Sequence, residues 1–287
     1  MSVPIQQFVR NQIRARLKEL GAQLRRAAKE PEDPEAIHDL RVAIRRFTQC
    51  LRTFAPFFPA APRKKVRRRL HKLMDRCSEA RNHDIALALV HEAGVGDDAL
   101  NAHLRAERRG AEKRLAKGLR ALRKGETVRR WQKDLRIVST PSRPSAREAD
   151  AAQSARRVLP EMAEELFTAG DQAAAAGATY HAIHQFRLQA KRVRYTVELF
   201  QPLYGEDTEP VLKALRGLQD KLGLINDCVT SLELVNHHRR AAIALSKLLA
   251  QREIEFRLHW KRHFGRSLRT RWIRWAGRPT AAGRTRP

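Results

Sequence analysis

Residues 36–56 read AIHDLRVAIRRFTQCLRTFAP, and residues 182–202 repeat the pattern as AIHQFRLQAKRVRYTVELFQP. The offset of 146 positions (182 − 36) aligns histidine with histidine, apolar residues with apolar residues and cations with cations. Each copy follows a residue that favours a helix N-cap, Asp33 or Thr179, and each runs into a proline that ends a helix. Agreement in core, charge and caps together predicts an internal duplication of a helical half.

The repeat continues into the next helical segment after a slip of one residue, at an offset of 145. Apolar positions there align as Val66 with Val211, Leu70 with Leu215, Leu73 with Leu218 and Cys77 with Leu222. Basic positions align as Arg68 with Lys213, His71 with Arg216 and Arg76 with Lys221. We take these six basic residues, together with Arg10 and Arg156, as candidates for secondary contacts with a ligand.

Helical periodicity covers nearly the whole chain. Apolar residues recur at spacings of three and four, and no segment shows the sustained alternation of a strand, which predicts an all-α fold. The predicted helices are 5–28, 34–54, 63–81, 83–92, 98–124, 127–137, 150–175, 180–200, 208–225, 228–262 and 264–275. A Ser- and Pro-rich stretch divides a single domain (1–276) into halves of about 1–138 and 150–276, with a linker at 139–149. We expect 277–287 to be a disordered basic tail, and the aligned residues Asn82 and Asp227 to cap helix boundaries.

Each copy of the repeat carries a core stripe and a cationic stripe on neighbouring faces. A rotation of 100° per residue gathers the apolar residues Ile37, Leu40, Ile44, Phe47, Leu51 and Phe54, and in the second copy Ile183, Phe186, Ala190, Val193, Val197 and Phe200. The neighbouring stripe holds His38, Arg41, Arg45 and Arg52, and in the second copy His184, Arg187, Lys191 and Arg194. Close like charges on a helix repel by a few tenths of a kcal/mol per pair, so the stripes favour an anionic ligand lying against them.

Two other interpretations of these stripes stay open. Long cationic side chains also extend over the edge of a core to reach water, and the two histidines also fit buried, hydrogen-bonded positions. The ligand interpretation is favoured because both copies keep the same sign of charge at matching positions. Arg52, which aligns with Glu198, is the exception.

The overall charge agrees with a polyanionic partner. The 287 residues contain 58 Lys and Arg against 31 Asp and Glu, a formal net charge of +27 and an isoelectric point near 11.3. Such an excess destabilises a compact chain through self-repulsion unless an anion offsets it. A generally basic proteome would explain the total charge, but not its placement in two matching stripes.

The pairs His38-Asp39 and His83-Asp84 suggest a metal-dependent phosphohydrolase as an alternative. A metal site needs neutral histidine with carboxylates, and neighbouring arginines oppose the cation. In the repeat, Asp39 aligns with Gln185 and Asp84 with Val229, whereas the cations recur. We therefore expect no catalytic residues, no metal and no cofactor.

At the quoted segments the sequence resembles the CHAD family, the conserved histidine α-helical domain, and ARNHDIALAL (80–89) and LRGLQDKLGLINDCVTSLEL (215–234) add to the likeness. The resemblance implies two pseudo-symmetric helical bundles that face each other across a basic groove. It also implies binding of inorganic polyphosphate and residence on polyphosphate granules. The ligand set that it implies is His38, Arg41, Arg45, Arg46, His184, Arg187, Lys191, Arg192 and Arg194. The Glu-x-Glu-x-Lys motif of the triphosphatase domains often fused to this family does not occur in the chain.

A second alternative is a nonspecific nucleic-acid-binding protein. Aromatic residues make up only 6% of the chain and do not interrupt the cationic stripes, which disfavours base stacking. Weak nonspecific binding of nucleic acid remains an expected side property, because phosphate contacts carry no sequence information. Three cysteines without metal spacing, and no apolar run of membrane length, predict a cytoplasmic protein with no membrane contact.

Overall fold

The computed structural model describes residues 3–123, 127–137 and 150–279. Within these ranges the chain is helical and contains no strand, so the all-α prediction is confirmed. The helices are α1 (Ile5–Lys29), α2 (Pro34–Thr53), α3 (Ala60–Glu92), α4 (Asp98–Arg123), α5 (Thr127–Asp134), α6 (Ala151–Ala174), α7 (Tyr180–Phe200), α8 (Glu209–Leu234), α9 (Arg239–His263) and α10 (Arg266–Ala276). None of the helices within the described ranges has the length and apolarity needed to cross a bilayer. The predicted linker 139–149 and most of the predicted tail lie outside the described residues.

The helices α2 and α7, which carry His38 and His184 and are here named the histidine helices, are capped at their starts as predicted. The carboxylate of Asp33 accepts a hydrogen bond from the Glu35 amide at 2.9 Å, and the hydroxyl of Thr179 accepts one from the Ala182 amide at 3.3 Å. These bonds satisfy backbone donors that have no partner within the helix. The prolines that follow α2 and α7 lie in short 3-10 turns at 55–57 and 201–203, so both helices end where the sequence indicates.

Three predicted helix boundaries are wrong. Asn82 lies inside α3, and Asp227 lies inside α8, so neither residue caps a helix. The predicted helix 228–262 is divided by a turn at 235–238. Val235 in that turn is completely buried, so the apolar periodicity continues through the break and conceals it.

The chain folds into two compact units. One, here named the α2 unit, contains residues 10–123, 127–137 and 227–249. The other, named the α7 unit, contains 3–9, 150–226 and 250–279. These units differ from the predicted halves, because the N-terminal residues join the second histidine helix and 227–249 join the first.

The α2 unit is built on α3, which packs along α4 and against α2. The core stripe of α2 is buried from Ile37 to Phe54, as its periodicity predicted. Residues 227–249 belong to this unit because they contribute to a buried cluster that comprises Ala86, Leu89, Val90, Leu100, Leu104, Cys228, Val235, Ala241 and Leu245. Burial of the core stripe of α2 fixes the face that this helix turns away from the core.

The α7 unit has an aromatic centre. The ring of Phe167 on α6 contacts those of Trp260, Phe264 and Trp272, with centroids 5.6–6.1 Å apart. The indole nitrogen of Trp260 donates to the Asp171 carboxylate at 2.9 Å. The predicted core stripe of α7 is buried along its length. Phe8 stacks on Phe200 at 5.8 Å, which explains why the N-terminal residues belong to this unit.

The close approach of α6 to Trp260 gives a test of this packing. A Cβ atom at Gly170 would overlap the Trp260 ring, so we expect Gly170→Ala to lower the free energy of unfolding by about 1–3 kcal/mol in urea denaturation. Gly223→Ala on α8 is the matched control, because a Cβ there meets nothing within 4 Å. The control should raise stability by up to about 1 kcal/mol. Equal effects of the two substitutions would contradict the packing described.

Candidate anion-binding rows

The first candidate row consists of His38, Arg41 and Arg45 on α2, and is here named the α2 row. His38 is exposed, and the two arginines are half-buried. The neighbouring protein atoms still remove part of the water around the His38 ring, and this partial desolvation lowers its pKa below the ordinary 6.5. The charges of Arg45 and then Arg41 lower it further, opposed by Glu35 and Asp39. The imidazole is therefore neutral near pH 7 in the ligand-free protein, beside two permanent cations.

The arginines of the α2 row are held by their stems. The Nε atom of Arg45 is buried and has no hydrogen-bond partner among the described residues. Burial raises the pKa of the Cys77 thiol on α3 to about 12, and the charge of Arg41 acts on that thiol in the opposite direction. Arg41 therefore lies on the α3 side of α2. Half-buried stems leave fewer rotamers to lose when a ligand binds.

The second candidate row consists of His184, Arg187 and Lys191 on α7, and is named the α7 row. All three side chains are half-buried. Burial lowers the pKa of His184, and so do the charges of Arg187, His181 and Lys191, whereas a hydrogen bond with Asn226 raises it. The spacing i, i+3, i+7 is the same as in the α2 row, so both rows follow one side of a helix.

The neighbours of His184 were not predicted. The Tyr180 hydroxyl lies 3.3 Å from Nδ1 of His184, and Asn226 on α8 forms a second hydrogen bond with the same imidazole. Tyr180 precedes His184 by four residues, so helical spacing could have identified it. Asn226 is distant in sequence, and nothing in the local pattern marks it. His184 is thus hydrogen-bonded within the protein, as one of the two open interpretations allowed, although it is half-buried rather than buried.

Two predicted ligand residues already have carboxylate partners. Nη1 of Arg46 is 2.9 Å from the Glu19 carboxylate on α1. Nε of Arg194 is 3.0 Å from the Glu198 carboxylate, and its Nη1 donates to Gln219 at 2.7 Å. Glu198 is buried on α7, and the bond from Arg194 to Gln219 joins α7 to α8 inside the α7 unit. Because their charges are already matched, both arginines are weaker candidates for binding a ligand than the residues of the two rows.

The remaining candidates lie at more accessible positions. Arg52 and Arg192 are exposed. Of the secondary candidates, Arg10 and Lys221 are half-buried, and the exposed ones are Arg68, His71, Arg76, Arg156, Lys213 and Arg216. Arg216 is ion-paired with Glu209, and Lys221 donates to Glu255 at 3.3 Å. Their role in binding stays a prediction, as does a groove shared by the two rows.

The aspartates considered for a hydrolase are bound to arginines. Asp39 lies 2.7 Å from Nη1 of Arg26, and Asp84 lies 2.5 Å from Nε of Arg108. His83 is buried, and burial lowers its pKa. Within the described ranges, no three His, Cys, Asp or Glu side chains are grouped closely enough to hold a metal ion.

Known proteins resemble this chain both in sequence and in fold. The model of the CHAD domain family matches residues 11–236. The fold resembles a crystal structure of the CHAD domain from the plant Ricinus communis, with a TM-score of 0.66 and 21% identity over 95% of this chain and 92% of that one. It also resembles PptA from Streptomyces chartreusis, with a TM-score of 0.59 and 19% identity over 96% of this chain and 99% of that one. A search of the curated proteins gives no match.

The lowered pKa values of the two row histidines lead to a titration experiment. We expect NMR midpoints below 6.5 for His38 and His184 in the ligand-free protein. Because the folded pKa lies below the unfolded value, the unfolded chain binds more protons between them, and the free energy of unfolding falls as the pH drops through that window. A variant with His38→Gln and His184→Gln should show a smaller fall than the unmodified protein. Midpoints at or above 6.5 would contradict the electrostatic description.

Proposed function

The chain belongs to the CHAD domain family, and from this premise we propose that it binds inorganic polyphosphate through the α2 row and the α7 row without cleaving it. The family is associated with polyphosphate binding. The observation that supports the proposal most directly is that α2 and α7 each carry two half-buried cations beside a histidine, at identical spacing. We further propose that binding recruits the protein to polyphosphate granules.

The spacing of each row suits a linear polyanion. A helix rises about 1.5 Å per residue, so the seven steps from the first to the last member of a row span about 10 Å. A chain that carries negative charge at every repeat can lie along such a row and contact each member. Arginine donates two parallel bonds to one phosphate, whereas lysine acts as a point charge. Arg45 and Lys191, which occupy equivalent positions, both meet the requirement for positive charge.

Aromatic residues argue against nucleic acid as the preferred ligand. Stacking on aromatic rings supplies much of the affinity of proteins for unpaired bases. Of the aromatic side chains in the described ranges, Phe57 is 40% exposed and lies outside both rows, and Tyr180, which contacts His184 of the α7 row, is half-buried. Phosphate contacts alone make inorganic polyphosphate the better ligand, because it offers no bases that need a surface.

The chemistry of the rows supports binding rather than hydrolysis. Their side chains donate hydrogen bonds and carry positive charge, but they include no carboxylate that could act as a general base. Asp39, the nearest carboxylate in sequence to His38, already pairs with Arg26. General-base catalysis needs a group free to accept a proton from the attacking water.

Removal of the permanent cations from the rows is the decisive experiment. A charge-assisted hydrogen bond from arginine to phosphate contributes about 1.5–3 kcal/mol. Replacing Arg41, Arg45, Arg187 and Lys191 together with glutamine should weaken binding of long-chain polyphosphate by about 4 kcal/mol or more, roughly a thousandfold in Kd. The slope of log Kd against log salt should fall by about 0.7 for each phosphate that the variant no longer neutralises. Binding is measured by titration calorimetry at several salt concentrations, and Tm verifies the fold.

The matched control removes four exposed cations from α4 by glutamine substitution at Arg109, Lys113, Lys117 and Arg120. Both variants lose the same charge, so an equal decrease in affinity would show that bulk charge alone binds the polyanion and that the rows are not the site. Competition with duplex DNA at physiological salt completes the comparison. Displacement of polyphosphate by an equal concentration of DNA phosphate would instead favour a nucleic-acid-binding protein.

Incubation with polyphosphate tests the absence of catalysis. We expect the chain length to stay constant on gels and no orthophosphate to appear, with or without added Mg²⁺ or Mn²⁺. Time-dependent release of orthophosphate that is abolished in His83→Gln or Asp84→Asn would show that the protein is a hydrolase.

A further inference from the structure

A second cationic surface lies in the α7 unit, where α8 meets the last turns of α9. It is a cleft of about 650 Å³, here named the α9 cleft, and it is lined by Lys221, Glu255, Leu258, His259, Lys261, Arg262 and His263. None of these lining residues belongs to α7, so the cleft is built from side chains other than those of the α7 row. Five of the seven carry nitrogen donors or titratable nitrogens.

The carboxylate in the cleft is already matched. Glu255 accepts hydrogen bonds from Lys221 at 3.3 Å and from Gln251 at 3.1 Å. The bond from Lys221 lowers the pKa of Glu255, so this carboxylate remains ionised near neutral pH. Lys261 and Arg262 are exposed, and neither pairs with a carboxylate in the part of the chain that the structure describes. Two unmatched positive charges therefore remain in the cleft.

A pair of histidines adds to this charge when protonated. The rings of His259 and His263 lie one helical turn apart, with centroids separated by 4.7 Å. Burial lowers the pKa of His259, and the charges of His263 and Lys221 lower it further. Adjacent imidazoles oppose each other's protonation, and an anion bound beside both would relieve that opposition.

Other elements also place charge beside His259. On α9 itself these are Glu255, His263 and the exposed cations; on α8 the charge is Lys221. On α6, Asp171 accepts a hydrogen bond from the neighbouring Trp260. Cations outnumber carboxylates around the cleft, so the unbalanced charge there is positive.

We propose that the α9 cleft is a second anion-binding site, which takes a short phosphate chain such as the end of a polyphosphate molecule. The cleft volume lies within the range of about 300–1,000 Å³ typical of small-ligand sites. Leu258 is its one aliphatic lining residue and is 63% exposed, so an apolar ligand would gain little burial. The lining residues include no Phe, Tyr or Trp on which a nucleobase could stack. The identity of the anion rests on the proposed function, whereas the cleft and its charge do not.

The test uses inorganic tripolyphosphate and the full chain carrying the four row substitutions, so that the rows do not obscure the cleft. In that background we expect one tripolyphosphate site by titration calorimetry. Lys261→Gln with Arg262→Gln and His263→Gln should weaken it at least about tenfold. Since an anion bound beside His259 favours its protonated form, affinity should increase from about pH 7.5 to about pH 6, and this increase should be smaller in the triple variant, which lacks the adjacent His263. Chemical shifts of His259 and His263 should move on addition of tripolyphosphate.

The control variant replaces Arg239, Arg240 and Lys247, three exposed cations near the start of α9. It should keep both the affinity and its pH dependence. Unchanged affinity in the cleft variant, or an equal decrease in the control, would overturn the inference. Cations in the last turn of a helix also stabilise its dipole, so Arg262→Gln alone serves as a second variant if the triple variant has a lowered Tm.

Two further comparisons distinguish failure of the cleft proposal from failure of the proposed function of the rows. ATP carries the same phosphate chain with a base attached, and we expect it to bind the cleft more weakly than tripolyphosphate does. Tighter binding of ATP would overturn the assignment to an inorganic chain. If the row substitutions leave binding of long polyphosphate unchanged, the proposed function of the rows fails, while the cleft is still judged by its own variants.

Discussion

The main physical constraint on this structure is the repulsion among cations that the fold holds close together. The chain carries a formal charge of +27, and both histidine helices place a cationic row directly beside a buried apolar stripe. Packing of residues such as Leu40 and Phe186 therefore fixes the cations in position, at a cost in electrostatic repulsion that an anionic ligand would remove. In each unit, the core that stabilises the helix also pre-organises its charges.

The arginines of α2 and α7 differ in the side chains that surround them. Arg46 and Arg194 each meet a carboxylate within their own unit, and a hydrogen bond from Arg194 to Gln219 connects α7 to α8. The cations of the rows lie close enough to the neighbouring histidines to lower the pKa values of both imidazoles. A matched arginine supports the fold, and the positive charge around each neutral imidazole is the feature on which the proposed anion binding rests. Sequence spacing alone could not make this distinction, because all of these residues lie near the same stripe.

The sequence predicted what depends on local periodicity. The core stripes, the caps at Asp33 and Thr179 and the ends of both histidine helices follow from spacing and side-chain chemistry, and all are present. Prediction from the sequence failed where contacts between residues distant in the chain determine the structure. α3 continues through Asn82 although that residue favours caps, and the turn after α8 is concealed because Val235 is buried within it. The partners of His184 and the α9 cleft join residues too far apart in sequence for a pattern to connect them.

The two histidines differ in a way that bears on how a polyanion would be held. His184 uses its hydrogen-bonding capacity on Tyr180 and Asn226, so it orients the start of α7 relative to α8. His38 is exposed, beside Arg41 and Arg45, and is thus the row histidine better able to take up a proton when phosphate approaches. Permanent cations would then supply affinity at any physiological pH, and His38 would add a component that grows as the pH falls. A ligand with uniform repeats requires only sign and spacing, which is why Arg45 and Lys191 can occupy equivalent positions.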